Sequence, residues 1–128
     1  MIKHFFEWIK LKEKIHNDES VERLLKEGEV WWCALGENVG IEVNGKSEFF
    51  SRPVLIYRKL SRDGFMGIPL TTQKKVGSWY VRFEFQGKTS YANLAQARVI
   101  SSKRLYNLVG EIDGEDYKRI RAGFRRLY

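Results

Sequence analysis

The sequence predicts a mainly β fold with helices at both ends, in which a small antiparallel sheet fills the middle of the chain. Three observations carry this. Between Val30 and Leu94 the apolar residues fall in short runs separated by glycine-bearing or polar turns. In one run Trp79, Val81, Phe83 and Phe85 alternate with Tyr80, Arg82 and Glu84, the period of a half-buried strand. On either side of this region the apolar spacing becomes helical.

Taken in order, Phe5, Trp8, Ile9 and Ile15 follow helical spacing. Asn17-Asp18 is suited to cap a continuation through Val21, Leu24 and Leu25 that Gly28 stops. Residues 1–27 thus read as a helical N-terminal extension and 28–128 as the main body of a single globular domain. Strands are expected over 30–35, 53–60, 65–72, 79–85 and 88–94, with Gln86-Gly87 as a tight hairpin turn. After Ile100 the pattern predicts C-terminal helices. The first runs from Lys103 to Val109 behind a serine cap; the second spans about Gly114 to Leu127, with Asp113 as N-cap and Asp116 as capping-box acid. Tyr117, Ile120, Phe124 and Leu127 form its buried stripe. Arg119, Arg121, Arg125 and Arg126 are left on its outer side, either as a solvated face or as a surface for RNA or another partner.

Composition narrows the function classes. At 128 residues and 43% hydrophobic content the chain fills one core. A net charge of +7 and a pI near 9.6 favour an anionic partner such as nucleic acid or an acidic protein segment. The surplus lies beyond the extension, since residues 1–27 hold six basic and six acidic side chains whereas 98–128 hold eight and four. Cys33 stands alone, so there is neither an intrachain disulfide nor a cysteine-rich zinc site, which suits a reducing cytoplasm. Lys3, Glu7, Lys10, Lys12 and Glu13 interrupt the first apolar residues, so no export signal and no membrane insertion are expected. His4 and His16, twelve residues apart and without an accompanying carboxylate cluster, read as surface residues. No phosphate-binding loop or dinucleotide fingerprint occurs, and no cofactor is expected.

The segment with chemical character is Arg52-Pro53-Val54-Leu55-Ile56, an arginine at the mouth of an apolar strand, together with Ile68-Pro69-Leu70-Thr71-Thr72. Arginine offers a planar, permanently charged fork that matches phosphate oxygens, and a neighbouring hydroxyl supplies a further hydrogen bond. The pair suits a phosphodiester. Read without further context, Arg52 is equally a strand-end charge paired with Glu42 or Glu48, and Thr71 an edge hydroxyl satisfying a backbone group.

The ordered signals from about residue 28 to 127 resemble the MazF/PemK family of toxin endoribonucleases. They are Gly28-Glu29-Val30-Trp31, Gly40-Ile41-Glu42, Arg52-Pro53-Val54-Leu55-Ile56, Pro69-Leu70-Thr71, Gln96-Ala97-Arg98 with Ile100, and Lys103-Arg104-Leu105 with Val109-Gly110. The resemblance implies a small SH3-like antiparallel barrel carrying Arg52 and Thr71 as the catalytic pair and Glu42 as an acid in the substrate groove. The activity it implies is sequence-preferring, metal-independent cleavage of single-stranded RNA to 2′,3′-cyclic phosphate and 5′-hydroxyl ends. Its implied partners are RNA, a cognate antitoxin with an acidic tail, and a second copy of the chain in a homodimer.

Further candidate contacts to RNA are Thr72, Gln73, Lys74 and Lys75 just beyond Thr71, and Phe49 in the long loop before Arg52. Strand-end aromatics such as Trp31, Phe49, Phe50, Trp79 and Tyr80 are suited to stack on unpaired bases or to fill the core. Two alternatives stay open: a non-catalytic SH3-like module binding nucleic acid or protein, and a gyrase poison on the same barrel.

Overall fold

The computed structural model describes residues 25–35 and 51–128. Most of the expected helical extension lies outside them, as do Glu42 and Phe49. Residues 25–28 form a turn into the first strand, and Leu25 is buried. Seven strands follow: β1 (Glu29–Ala34), β2 (Ser51–Lys59), β3 (Gly64–Thr71), β4 (Tyr80–Phe85), β5 (Lys88–Asn93), β6 (Arg98–Ser101) and β7 (Leu105–Glu111); the helix α1 (Gly114–Leu127) ends the chain. Every pairing is antiparallel. The order is β4-β5-β3-β2-β1-β7, with β6 on the outer edge of β3.

β2 is apolar almost throughout because both its faces are covered. Leu55 and Tyr57 join Val30, Ile68, Leu70, Val81, Phe83, Ala92, Leu94 and Ile120 in a core beneath α1, whereas Val54 and Ile56 join Cys33, Phe65, Ile100 and Leu105 on the opposite face. A strand buried on two sides has no polar row to present, so its hydrophobicity runs continuously instead of alternating. Fully burying Ile120 from α1 stabilises the helix against the sheet by roughly 2 kcal/mol.

β3 is where the sheet branches. Its outer edge pairs with β6 as far as Gly67 opposite Arg98, then with β5 from Leu70 opposite Ala92. The handover falls at Ile68 and Pro69, and proline has no N–H to leave unpaired there. At Gly67 an added Cβ would lie 2.7 Å from Ile100 Cδ1 and 2.8 Å from both Phe65 Cε2 and Val54 Cγ1. Only glycine fits that approach.

The hairpin at Gln86-Gly87 is as expected: both residues take positive φ, 53° and 77°, the backbone of a type I′ turn. From this tip Gln86 Nε2 donates to Val109 O on β7 at 2.9 Å. The β4–β5 hairpin thereby touches β7, the strand at the far end of the order, and the sheet curls into a barrel-like form that no β4–β7 ladder closes.

The expected helix over Lys103–Val109 is corrected by the structure, which leaves one C-terminal helix. Ser101 Oγ does accept from Lys103 N at 3.3 Å, but the helical turn it caps spans only Ser102–Arg104, and Leu105–Glu111 is strand β7. Asn107, Val109 and Gly110 are weak helix formers, and β1 has an open edge that β7 fills from Cys33 opposite Leu105 to Glu29 opposite Glu111. Tertiary pairing outweighs the short amphipathic pattern. β6, over Arg98–Ser101, is likewise a strand that the apolar runs do not reveal. In α1, Asp113 caps as expected through Glu115 N at 3.1 Å, while Asp116 accepts from Arg119 Nη1 at 3.3 Å.

Candidate active site

Arg52 enters the site from the second residue of β2, where it faces Cys33 of β1 across the ladder. On its other side the β2–β3 ladder ends at Val54 opposite Pro69, two residues short of Arg52 on one strand and of Thr71 at the end of the other. The alternation of side chains then puts Arg52 and Thr71 on the same face of the sheet. The two residues singled out from the sequence are neighbours on one surface.

The arginine is largely enclosed, with 8% of its surface exposed. Its Nη1 lies 3.5 Å from Leu70 O, a long hydrogen bond that leads the guanidinium toward the end of β3. Burial lowers the Arg52 pKa from its ordinary value. That value is high enough for the group to stay charged at neutral pH. A desolvated cation near the surface exerts a stronger field on an approaching anion than one in water does. The strand end is fixed from the other face, since Ser51, 1% exposed, is hydrogen-bonded through its hydroxyl to the Tyr106 hydroxyl on β7.

Thr71 is half-buried, and its Oγ1 accepts from Gln73 N at 3.1 Å. A hydroxyl that already accepts a backbone N–H keeps its own O–H to give, so Thr71 is set up as a donor. Thr72, Gln73, Lys74 and Lys75 are all exposed on the loop joining β3 to β4, directly beyond it. The structure thus brings Arg52, Thr71 and this loop to one end of the sheet, while Glu42, Phe49 and the ion pairs once considered with Glu42 or Glu48 fall outside the described residues.

Sequence reasoning passed over several neighbours. Tyr91 of β5 stands opposite Thr71, and two residues further along that face Asn93 Oδ1 is the one buried side-chain polar atom without a hydrogen-bond partner among the described residues. Arg98 and Arg104 flank the buried Cys33, and Arg104 Nη1 donates to Ala34 O at 3.2 Å. Cys33 itself is inert: burial pushes its thiol up to about 12 in spite of both arginines. Arg98 and Arg104 belong to the ordered signals of the family resemblance, but nothing in the spacing places them beside Cys33 or marks Tyr91 and Asn93, because strand register decides which side chains share a face. Among the described residues no group of three His, Cys, Asp or Glu is placed to hold a metal, and no helix is long and apolar enough to cross a membrane.

Residues 26–128 match the family model described as PemK-like, MazF-like toxin of type II toxin-antitoxin system. Among solved structures, the chain is similar to an endoribonuclease from a mycobacterial species in complex with its cognate antitoxin, at a TM-score of 0.64 and 18% identity over 80% of this chain and 93% of that one. A MazF from Deinococcus radiodurans gives a TM-score of 0.65 at 18% identity, covering 82% of this chain and 96% of that one. At such identity these two likenesses establish the fold. No curated protein matches the sequence.

Proposed function

Because this chain belongs to the PemK-like, MazF-like toxins of type II toxin-antitoxin systems, we propose that it is a cytoplasmic, metal-independent endoribonuclease that cuts single-stranded RNA with some sequence preference. The observation that carries the reading is the enclosed Arg52 guanidinium, whose Nη1 lies 3.5 Å from the carbonyl of Leu70, the residue before Thr71 at the end of β3. Endoribonuclease is also the activity named for the mycobacterial proteins that share the fold.

The chemistry asks little of a nucleophile and much of positioning. The ribose 2′-oxygen attacks the adjacent phosphorus, the P–O5′ bond breaks, the 2′-hydroxyl proton is lost and one is gained by the departing 5′-oxygen. The products are a 2′,3′-cyclic phosphate and a 5′-hydroxyl. Arg52 binds the non-bridging oxygens and stabilises the charge that builds on them, while the Thr71 hydroxyl holds the phosphate in line. With no imidazole among these groups to shuttle protons near pH 7, turnover is modest.

As for partners, an endoribonuclease of the same fold is known in complex with its cognate antitoxin, and a basic surface of this kind suits an acidic antitoxin segment. A homodimer completes the proposed assembly. The test is incubation of the purified protein with a long unstructured RNA in EDTA, followed by end-group analysis, with Arg52→Ala alongside. Discrete fragments with cyclic phosphate and 5′-hydroxyl ends, absent in the variant, support the reading. Intact RNA, or equal cleavage by the variant, overturns it.

A further inference from the structure

Outside the Arg52–Thr71 face, the helix side of the molecule carries a run of aromatic rings that the cleavage chemistry does not use. Trp79 and Tyr128 meet edge to face at 6.0 Å between centroids; Tyr128 lies 4.7 Å from Phe124, and Phe124 lies 4.6 Å from Tyr57. The inner rings are core. The outer two are not, since Trp79 is 42% and Tyr128 64% exposed. Tyr128 Oη donates to Leu94 O at 2.8 Å and Leu94 N donates to Trp79 O at 2.8 Å, so both residues are tied to the same backbone position. The result is a ledge of two rings inclined at 70° and open to solvent.

Cations border it. Lys74 and Lys75 stand exposed on the loop that leads from Thr71 to Trp79, and Arg125 and Arg126 lie exposed in the last turn of α1 beside Tyr128. Exposed aromatic faces rimmed by lysine and arginine are the makings of a platform for unpaired bases, because any base presents a π-face and the adjacent phosphates meet the cations. An acidic protein segment would satisfy the cations but has no need of two exposed rings.

The ledge is also within reach of the scissile phosphate. Thr71 faces Tyr91 on one edge of β5 and Tyr80 faces Asn93 on the other, which sets Trp79, one residue further, on the order of 14 Å from Thr71 by strand spacing and rise. A single strand leaving the groove over the rim of the sheet along residues 72–79 covers that span in a few nucleotides.

We propose that the Trp79–Tyr128 ledge is an exosite of the ribonuclease, which grips single-stranded RNA beyond the cleaved bond by stacking an unpaired base. This rests on the RNA-cleaving reading above. It is tested by the affinity of fluorescein-labelled unstructured RNA for Arg52→Ala protein, in which the RNA stays intact, with and without Trp79→Ala or Trp79→Phe, and by the same comparison in the otherwise unaltered protein with a 2′-deoxy strand that lacks the attacking hydroxyl. Trp79→Ala is expected to weaken binding roughly tenfold and Trp79→Phe to restore most of it. Equal affinity with and without the indole overturns the exosite, as does a change confined to sedimentation, which would make the ledge a contact between copies. Trp79-dependent binding together with failure of the Arg52-containing protein to cut the corresponding all-ribose RNA would support the ledge and sink the cleavage reading instead.

Discussion

At the scale of single residues the proposed site depends on one buried charge. On that proposal Arg52→Ala removes the cation that meets the developing negative charge, and cleavage is expected to fall by at least about a hundredfold, the usual cost of losing one preorganised stabilising group, with the melting temperature little changed. A matching loss of folded protein in a thermal melt would show that Arg52 acts through the fold. Thr71→Ala removes one donor and is expected to cost less, with Thr71→Ser recovering most of the rate. Cys33 supplies a pH prediction. Its folded pKa is raised to about 12 above the ordinary thiol value, so the unfolded chain loses the proton first as pH rises. The contribution is therefore complete below the unfolded value and is lost through the alkaline range up to about 12. In alkaline melts Cys33→Ala should show a shallower decline than the parent, and the native thiol should stay unreactive to alkylation at neutral pH. Of these residues, Arg52 and Thr71 were legible in the sequence through the family resemblance, since by themselves a strand-end arginine and a strand-end hydroxyl also suit an ion pair and a satisfied backbone group. Tyr91, Asn93 and Arg104 were not, because their place depends on which strand lies beside which.

Individual elements divide along the same line. α1 announces itself locally: Asp113 caps it, Ile120 marks its buried stripe, and Arg125 and Arg126 sit in its last turn against the helix dipole. Asp113→Ala is expected to cost about 1 kcal/mol of stability in denaturant unfolding. The Gln86-Gly87 hairpin is equally local, since its turn type is written in two residues. β7 is not local at all. Leu105–Glu111 carries an ambiguous pattern, and what makes it a strand is the free edge of β1, which lies some seventy residues earlier. The same holds for Gly67, whose side-chain-free contact with Ile100, Phe65 and Val54 unites three strands. Gly67→Ala should destabilise by roughly 1–3 kcal/mol through overpacking, measurable as a lower denaturant midpoint with an unchanged slope.

For the whole molecule, two layers of core lie on either side of one branched sheet, one of them beneath α1 and the other on the face that carries Val54 and Ile56. A general fold class of mainly β was readable from alternation and turns. The barrel-like curl was not, because the approach of Gln86 to Val109 brings the two ends of the strand order near each other, a contact that no local pattern encodes. The excess of positive charge is a property of the whole surface. If RNA is held at several phosphates, its affinity must fall steeply with added salt, and a titration of labelled RNA across ionic strengths should give a straight line of negative slope on logarithmic axes. A flat response would argue against a polyanionic ligand.

The pairing of β1 with β7 also bears on how the chain is made. β1 acquires β2 as its first neighbour soon after it leaves the ribosome, but its other neighbour does not exist until residues 105–111 have been translated. At ordinary elongation rates that leaves an apolar strand edge open for roughly four to fourteen seconds. During synthesis the nascent chain is a template for unwanted strand addition, and a product truncated before Leu105 keeps that exposed edge permanently.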